Sequence, residues 1–274
     1  MPQTHAPSEH LAIDFGMVMH AWGALRQALA KLPMLFLSGA LVTALLTFAA
    51  WKLQGAYHDL LSGAPDRLRD AIDFGYTLAI DILDSIVMAA VAVPVHRMVL
   101  LGETRDGFVA LFSGRTWRFA FWLVVLEMSA FLALLPLPLL LRASPVETYL
   151  VVAAMAAFLV ALAFVVVRLS LVFPAIAIDV RGGAAASWAL SRGRFWRIVV
   201  TAVFTLIPLL FAMLLATLAA SWLIGLSGSL VNVFDTLMWF EIVVTALSRP
   251  IGVALAAAVL SWNYRLAREE MAES

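Results

Sequence analysis

Cysteine is absent from all 274 residues. That excludes disulfides, thiolate metal ligation and cysteine nucleophiles together, and leaves the redox compartment undetermined. Charge is scarce: 13% of residues are Asp, Glu, Lys or Arg, where a soluble domain carries about 25%. The 18 basic and 18 acidic residues cancel, so the chain as a whole is not a binder of polyanions. Its five histidines (His5, His10, His20, His58, His96) are scattered, with no His-x-x-x-His pair, so no metal site is expected. Gly182-Gly183 lies in neither a P-loop nor a dinucleotide fingerprint. Ser187 and Ser191 have no adjacent base. The expectation is no enzyme and no cofactor. The basic residues flank apolar runs rather than forming a patch, which argues against nucleic acid. No apolar run alternates with polar residues, so a membrane β-barrel is excluded too.

What remains is apolar. Hydrophobic residues make up 64% of the chain and the mean hydropathy is +0.97. Residues 1–10 read as a disordered polar tail, with no cleavable signal peptide. Residues 11–31 set Ile13, Met17, Trp22, Leu25 and Leu29 among Asp14, His20, Arg26, Gln27 and Lys31, the pattern of an interfacial helix. Six apolar runs follow, at 33–51, 74–96, 119–141, 148–170, 198–222 and 237–262. Each is near the ~20 residues that cross a bilayer as a helix. The fold expected is all-α: one six-span membrane domain over 11–265 and a tail over 266–274.

The distribution of Lys and Arg orients the spans. On one side fall Arg26, Lys31, Arg97, Arg105, Arg115, Arg118, Arg168, Arg181, Arg192, Arg194, Arg197, Arg265 and Arg268. The other side has Lys52, Arg67, Arg69 and Arg142. The richer side is expected to be cytoplasmic, with both termini inside. Between runs, Ala64-Pro65-Asp66 reads as a helix start, and Pro136-Leu137-Pro138 as a distortion ending the third span.

GRTWR at 114–118 matches GRFWR at 193–197 at four of five positions, and each opens an apolar run. Before each comes an Arg ending the previous span (Arg97, Arg168), an apolar stretch (MVLLG, LSLVFPAIAI), an acid (Glu103, Asp179) and small residues. The last span ends likewise in Tyr264-Arg265, with Glu269 after it. The chain therefore reads as three units, 11–96, 97–170 and 171–265, each an amphipathic segment followed by a two-span hairpin. Arg115, Trp117 and Arg118, with Arg194, Trp196 and Arg197, are the candidates for anionic headgroup contacts.

Arg168, Pro174-Ala175, Asp179, Ser187-Trp188, Ser191-Arg192-Gly193 and Trp196-Arg197 form a pattern. Together with Pro250, Trp262-Asn263-Tyr264-Arg265 and HRMVLLGE at 96–103, it resembles bacterial multi-pass proteins of the YciC type. It also resembles the membrane domain joined to some glycerophosphoryl diester phosphodiesterases. The resemblance implies an inner-membrane protein. It implies no activity, since the phosphodiesterase site lies in a soluble domain not found in this sequence.

The remaining candidates are charges inside the runs, each costing roughly 2.5–3.5 kcal/mol at a span centre. They are Asp81, Asp84, Glu127, Glu241, Arg249 and, near an edge, Arg168. Asp73, Thr77, Asp81, Asp84 and Met88 share one helical face. Counting from the run edges puts Asp84 level with Arg249. The expected pairs are Asp84 or Asp81 with Arg249, and Glu127 with Arg168. Two functions stay open: non-enzymatic organisation of lipid, of a membrane-protein partner or of further copies of the chain, and transport of lipid, ion or small solute past the buried acids.

Overall fold

The computed structural model describes residues 15–61, 63, 65–104, 113–134, 145–180, 183–226 and 233–273. These form nine helices and no strand. In chain order they are α1 (Phe15–Lys31), α2 (Pro33–Leu60), α3 (Asp66–Leu101), α4 (Gly114–Leu134), α5 (Pro145–Leu169), α6 (Val172–Ala177), α7 (Gly183–Leu190), α8 (Phe195–Leu226) and α9 (Val233–Ala272). The expectations for 1–10, Pro136-Leu137-Pro138 and Arg181-Gly182 fall outside the described residues.

Segments of α2, α3, α5, α8 and α9 are long and apolar enough to cross a membrane. The third expected span, 119–141, falls on α4 up to Leu134; its remainder lies outside the described residues. The helices overrun the apolar runs. α9 has 40 residues, about 60 Å at 1.5 Å per residue, twice the ~30 Å hydrocarbon core.

The packed core sits toward the end of the bundle that carries most of the arginines. On α3, burial is continuous from Met88 to His96. On α9 it is concentrated between Ala254 and Ala267. Leu25, Ala28, Leu32, Leu35 and Phe36 join these to Phe119 and Ala120 of α4 in one cluster. Small residues bring the backbones close: Ala21 and Ala24 of α1 pack on Ala258 of α9. α1 is therefore a member of the core along one face, while Phe15, Met19 and Leu29 remain exposed on the other.

Gly39 of α2 marks the joint of α2, α3 and α9. A Cβ there would stand 3.0 Å from Val91 Cγ2 and 3.7 Å from Pro250 Cγ. α5 is the opposite case: nothing in its most apolar window is buried.

The structure departs from the expected likeness of 98–102 to 169–178. Met98–Leu101 simply continue α3 to Gly102, whose left-handed backbone (φ 71°) donates its N–H to Met98 O and ends the helix. After α5, by contrast, Ser170-Leu171 break the chain, and α6 turns into the core as a separate helix. Leu171, Val172, Phe173 and Ala177 are each at most 5% exposed. Phe173 packs on Phe119 with ring centroids 4.6 Å apart. The stretch 171–177 between the two spans is therefore core, because LVFPAIA has no polar side chain to keep it out.

Candidate functional site

Two groups of charged residues stand out, one inside the bundle and one at its arginine-rich end. Inside, Arg249 of α9 is ion-paired with Asp84 of α3. The next residue, Ser85, is 1% exposed; its hydroxyl lies within hydrogen-bond reach of two acceptors, Glu127 of α4 and, at 2.9 Å, Asp81 O one turn back. Glu127 lies within electrostatic reach of Asp84, Asp81 and Arg249. The Asp81 carboxylate makes no hydrogen bond or ion pair among the described residues, and Glu241 is exposed on α9. Asp84 and Glu127 thus stand by one guanidinium, and Asp81 lies within electrostatic reach of both carboxylates. Further along α3 the Tyr57 hydroxyl of α2 donates to Asp73.

Glu127 and Arg168 do not meet; the pairing expected from depth is corrected here. Glu127 turns to Ser85 on α3, a helix packed against its own. Arg168 turns the other way. Its Cζ lies 5.2 Å from the Phe164 ring centre and 5.0 Å from that of Trp188, and Nη1 donates to Trp188 O at 3.1 Å. The i, i+4 spacing of Phe164 and Arg168 was the available signal in the sequence.

At the arginine-rich end, each pentapeptide holds one acid. Arg115 and Arg118 of α4 both bind Asp179, the latter at 2.9 Å. Arg194 and Arg197, flanking the start of α8, both bind Glu270 near the end of α9, the latter at 3.6 Å. The acid used on α9 is thus Glu270, the neighbour of the Glu269 that follows Tyr264-Arg265 in the sequence. Trp117 and Trp196, inside the two pentapeptides, are 53% and 63% exposed.

Asp179 has a left-handed backbone (φ 56°), the only described non-glycine residue with positive φ. It closes α6: Val180 N–H reaches Ala175 O at 3.0 Å and Asp179 N–H reaches Ile176 O at 3.2 Å. Glycine is usual at this position. An aspartate there places a carboxylate where two arginines converge, and Asp tolerates the conformation better than most residues.

Arginines that end spans also reach backbone carbonyls in distant parts of the chain. Arg97 binds Glu103 through Nε and Nη2 at 2.8 Å each, and Ala177 O through Nη1 at 2.8 Å. Arg265 Nη2 reaches Val99 O at 2.5 Å. These contacts tie α3, α6 and α9 together.

Sequence reasoning missed the buried pair His96 and Ser261, whose Nδ1 and Oγ are 2.7 Å apart. The only signal was a polar residue in each of two otherwise apolar stretches. Near it, His20 stacks on Trp262 at 5.0 Å. Among the described residues no group of three His, Asp or Glu is arranged to hold a metal.

Comparison with protein-family models, with curated proteins and with solved structures finds no match to this chain.

Proposed function

We propose that this chain is a six-span protein of the bacterial cytoplasmic membrane, with both termini in the cytoplasm. In this reading it catalyses no reaction and serves to bind anionic lipid headgroups or a membrane-protein partner. One observation carries it. Beside an exposed tryptophan, Arg115 and Arg118 converge on the single carboxylate of Asp179, leaving an excess of one positive charge in this group among the described residues. Positive charge and Trp together suit the headgroup layer of an anionic leaflet. The count of six takes the apolar run 119–141, which begins on α4, as a span with the other five. The three-unit repeat belongs to the same reading, supported by two pentapeptides that each clamp one acid from a later segment. So does kinship with the YciC-type proteins, on the residues of 168–197.

The test is thermal unfolding of the purified chain in nanodiscs of phosphatidylglycerol and of phosphatidylcholine. A higher Tm in phosphatidylglycerol is expected; equal Tm values in the two lipids overturn the reading.

The charge group around Arg249 favours a second reading, transport of a proton or cation. Asp81, Asp84 and Glu127 outnumber the one guanidinium, and Arg249 is 48% exposed over its side chain. Proteoliposomes should then dissipate an imposed pH gradient, and Asp84→Asn should slow this. Proteoliposomes as tight as protein-free vesicles exclude the proton form of this reading.

A further inference from the structure

Most arginines in the core and at its basic end have a carboxylate: Glu103 for Arg97, Asp179 for Arg115 and Arg118, Glu270 for Arg194 and Arg197, Asp84 for Arg249. Arg168 has none among the described residues. Its guanidinium is nevertheless held in one place. Phe164 and Trp188 lie against it, Nη1 is fixed on Trp188 O at the end of α7, and Ser187 Oγ donates to the Arg168 carbonyl at 2.9 Å. Nε is enclosed without an acceptor, and Nη2 makes no hydrogen bond among the described residues.

Capping α7 accounts for one of the five donors that a guanidinium carries. Nε is enclosed, so the charge and the remaining donors on Nη1 and Nη2 are what is left, beside α5, whose most apolar window is the least buried among the candidate spans. Arg168 is the penultimate residue of α5, at the end of its apolar run. Trp188 is 42% exposed, as a residue of the interfacial layer would be. A fixed, planar fork with unused donors matches a phosphate better than any other group found at that depth.

We propose that Arg168, set between Phe164 and Trp188, is a binding site for the phosphate of an anionic phospholipid whose acyl chains lie along α5. The site rests on the headgroup reading above and gives it one defined position. Phosphate itself is the shared chemistry of a lipid headgroup and of free phosphate; the open flank of α5 selects the lipid.

Native mass spectrometry of the chain released from detergent tests this, with phosphatidylglycerol, phosphatidylcholine or inorganic phosphate added. The wild-type chain should retain phosphatidylglycerol in preference to phosphatidylcholine, and excess inorganic phosphate should not displace it. Arg168→Gln should weaken that retention by about fivefold or more. Arg192→Gln, which removes a nearby exposed charge, should leave it within about twofold. A wild-type chain without the preference defeats the headgroup reading as a whole. A wild-type preference that survives Arg168→Gln, or that Arg192→Gln lowers equally, defeats this site alone. Displacement by inorganic phosphate overturns the lipid as occupant. If Arg168→Gln does not fold, Trp188→Leu is read instead: it keeps the guanidinium but removes one ring, and unchanged retention overturns the site.

Discussion

Arg249 of α9 is ion-paired with Asp84 of α3, 165 residues earlier in the chain. Asp84 is the more enclosed partner, at 16% side-chain exposure against 48%. Removing the arginine strands a carboxylate among apolar helices. Arg249→Ala should therefore lower unfolding stability in detergent by about 3 kcal/mol. Asp84→Asn made on top of it should restore part of the loss, because the stranded charge is gone. Denaturant titration of the four members of this cycle measures the coupling. Strict additivity would show that the pair contributes nothing.

Asp179 combines an unfavourable backbone conformation with two ion pairs. Asp179→Asn keeps a residue that tolerates φ 56° and removes the charge, so it should cost about 1 kcal/mol, shrinking as salt rises. Asp179→Gly removes the charge and relieves the backbone together, so its net change should be smaller. Thermal melts at low and high salt compare them. An Asp179→Asn chain as stable as wild type at low salt would mean that the clamp has no energetic role.

Gly39 sets how closely α2 approaches α3 and α9. Gly39→Ala forces Val91 to give by a few tenths of an ångström and should cost about 1 kcal/mol. Gly39→Leu cannot be absorbed that way and should cost about 3 kcal/mol or prevent folding. Loss of stability should follow side-chain volume in a Gly, Ala, Val, Leu series read by Tm; a flat series would refute the close joint.

The lack of cysteine makes topology directly testable, since single cysteines need no altered background. With six spans and internal termini, cysteines replacing Gly63 and Ala143 should react with an impermeant maleimide added to intact cells. Those replacing Ser113 and Ala272 should react after lysis alone. Ala143 reacting from the cytoplasmic side would leave α4 and α5 with a different arrangement.

The helical class was legible because 64% apolar residues in long non-alternating runs leave the backbone one way to bond itself in lipid. Asp84 and Arg249 could be matched by depth, since the rise per residue of a helix converts sequence distance into height. Depth did not suffice for Glu127 and Arg168. Two residues at compatible heights meet if their helices are neighbours with facing sides, and Glu127 faces Ser85 of α3. The choice of Glu270 over Glu269 was illegible for a related reason. Adjacent helical residues point about 100° apart, and the position of Arg194 and Arg197 decides which is used.

Composition and period by themselves determined that this chain is a set of long apolar helices with Arg-Trp elements at one end. Burial of VFPAIA, the Asp179 and Glu270 clamps, and the open setting of Arg168 were decided by tertiary structure. The hydrophobic pattern tells a helix which residues avoid water, but in a membrane lipid and protein are equally apolar. Which face meets lipid and which meets another helix depends on shape, small-residue contacts and the few available partners for charge.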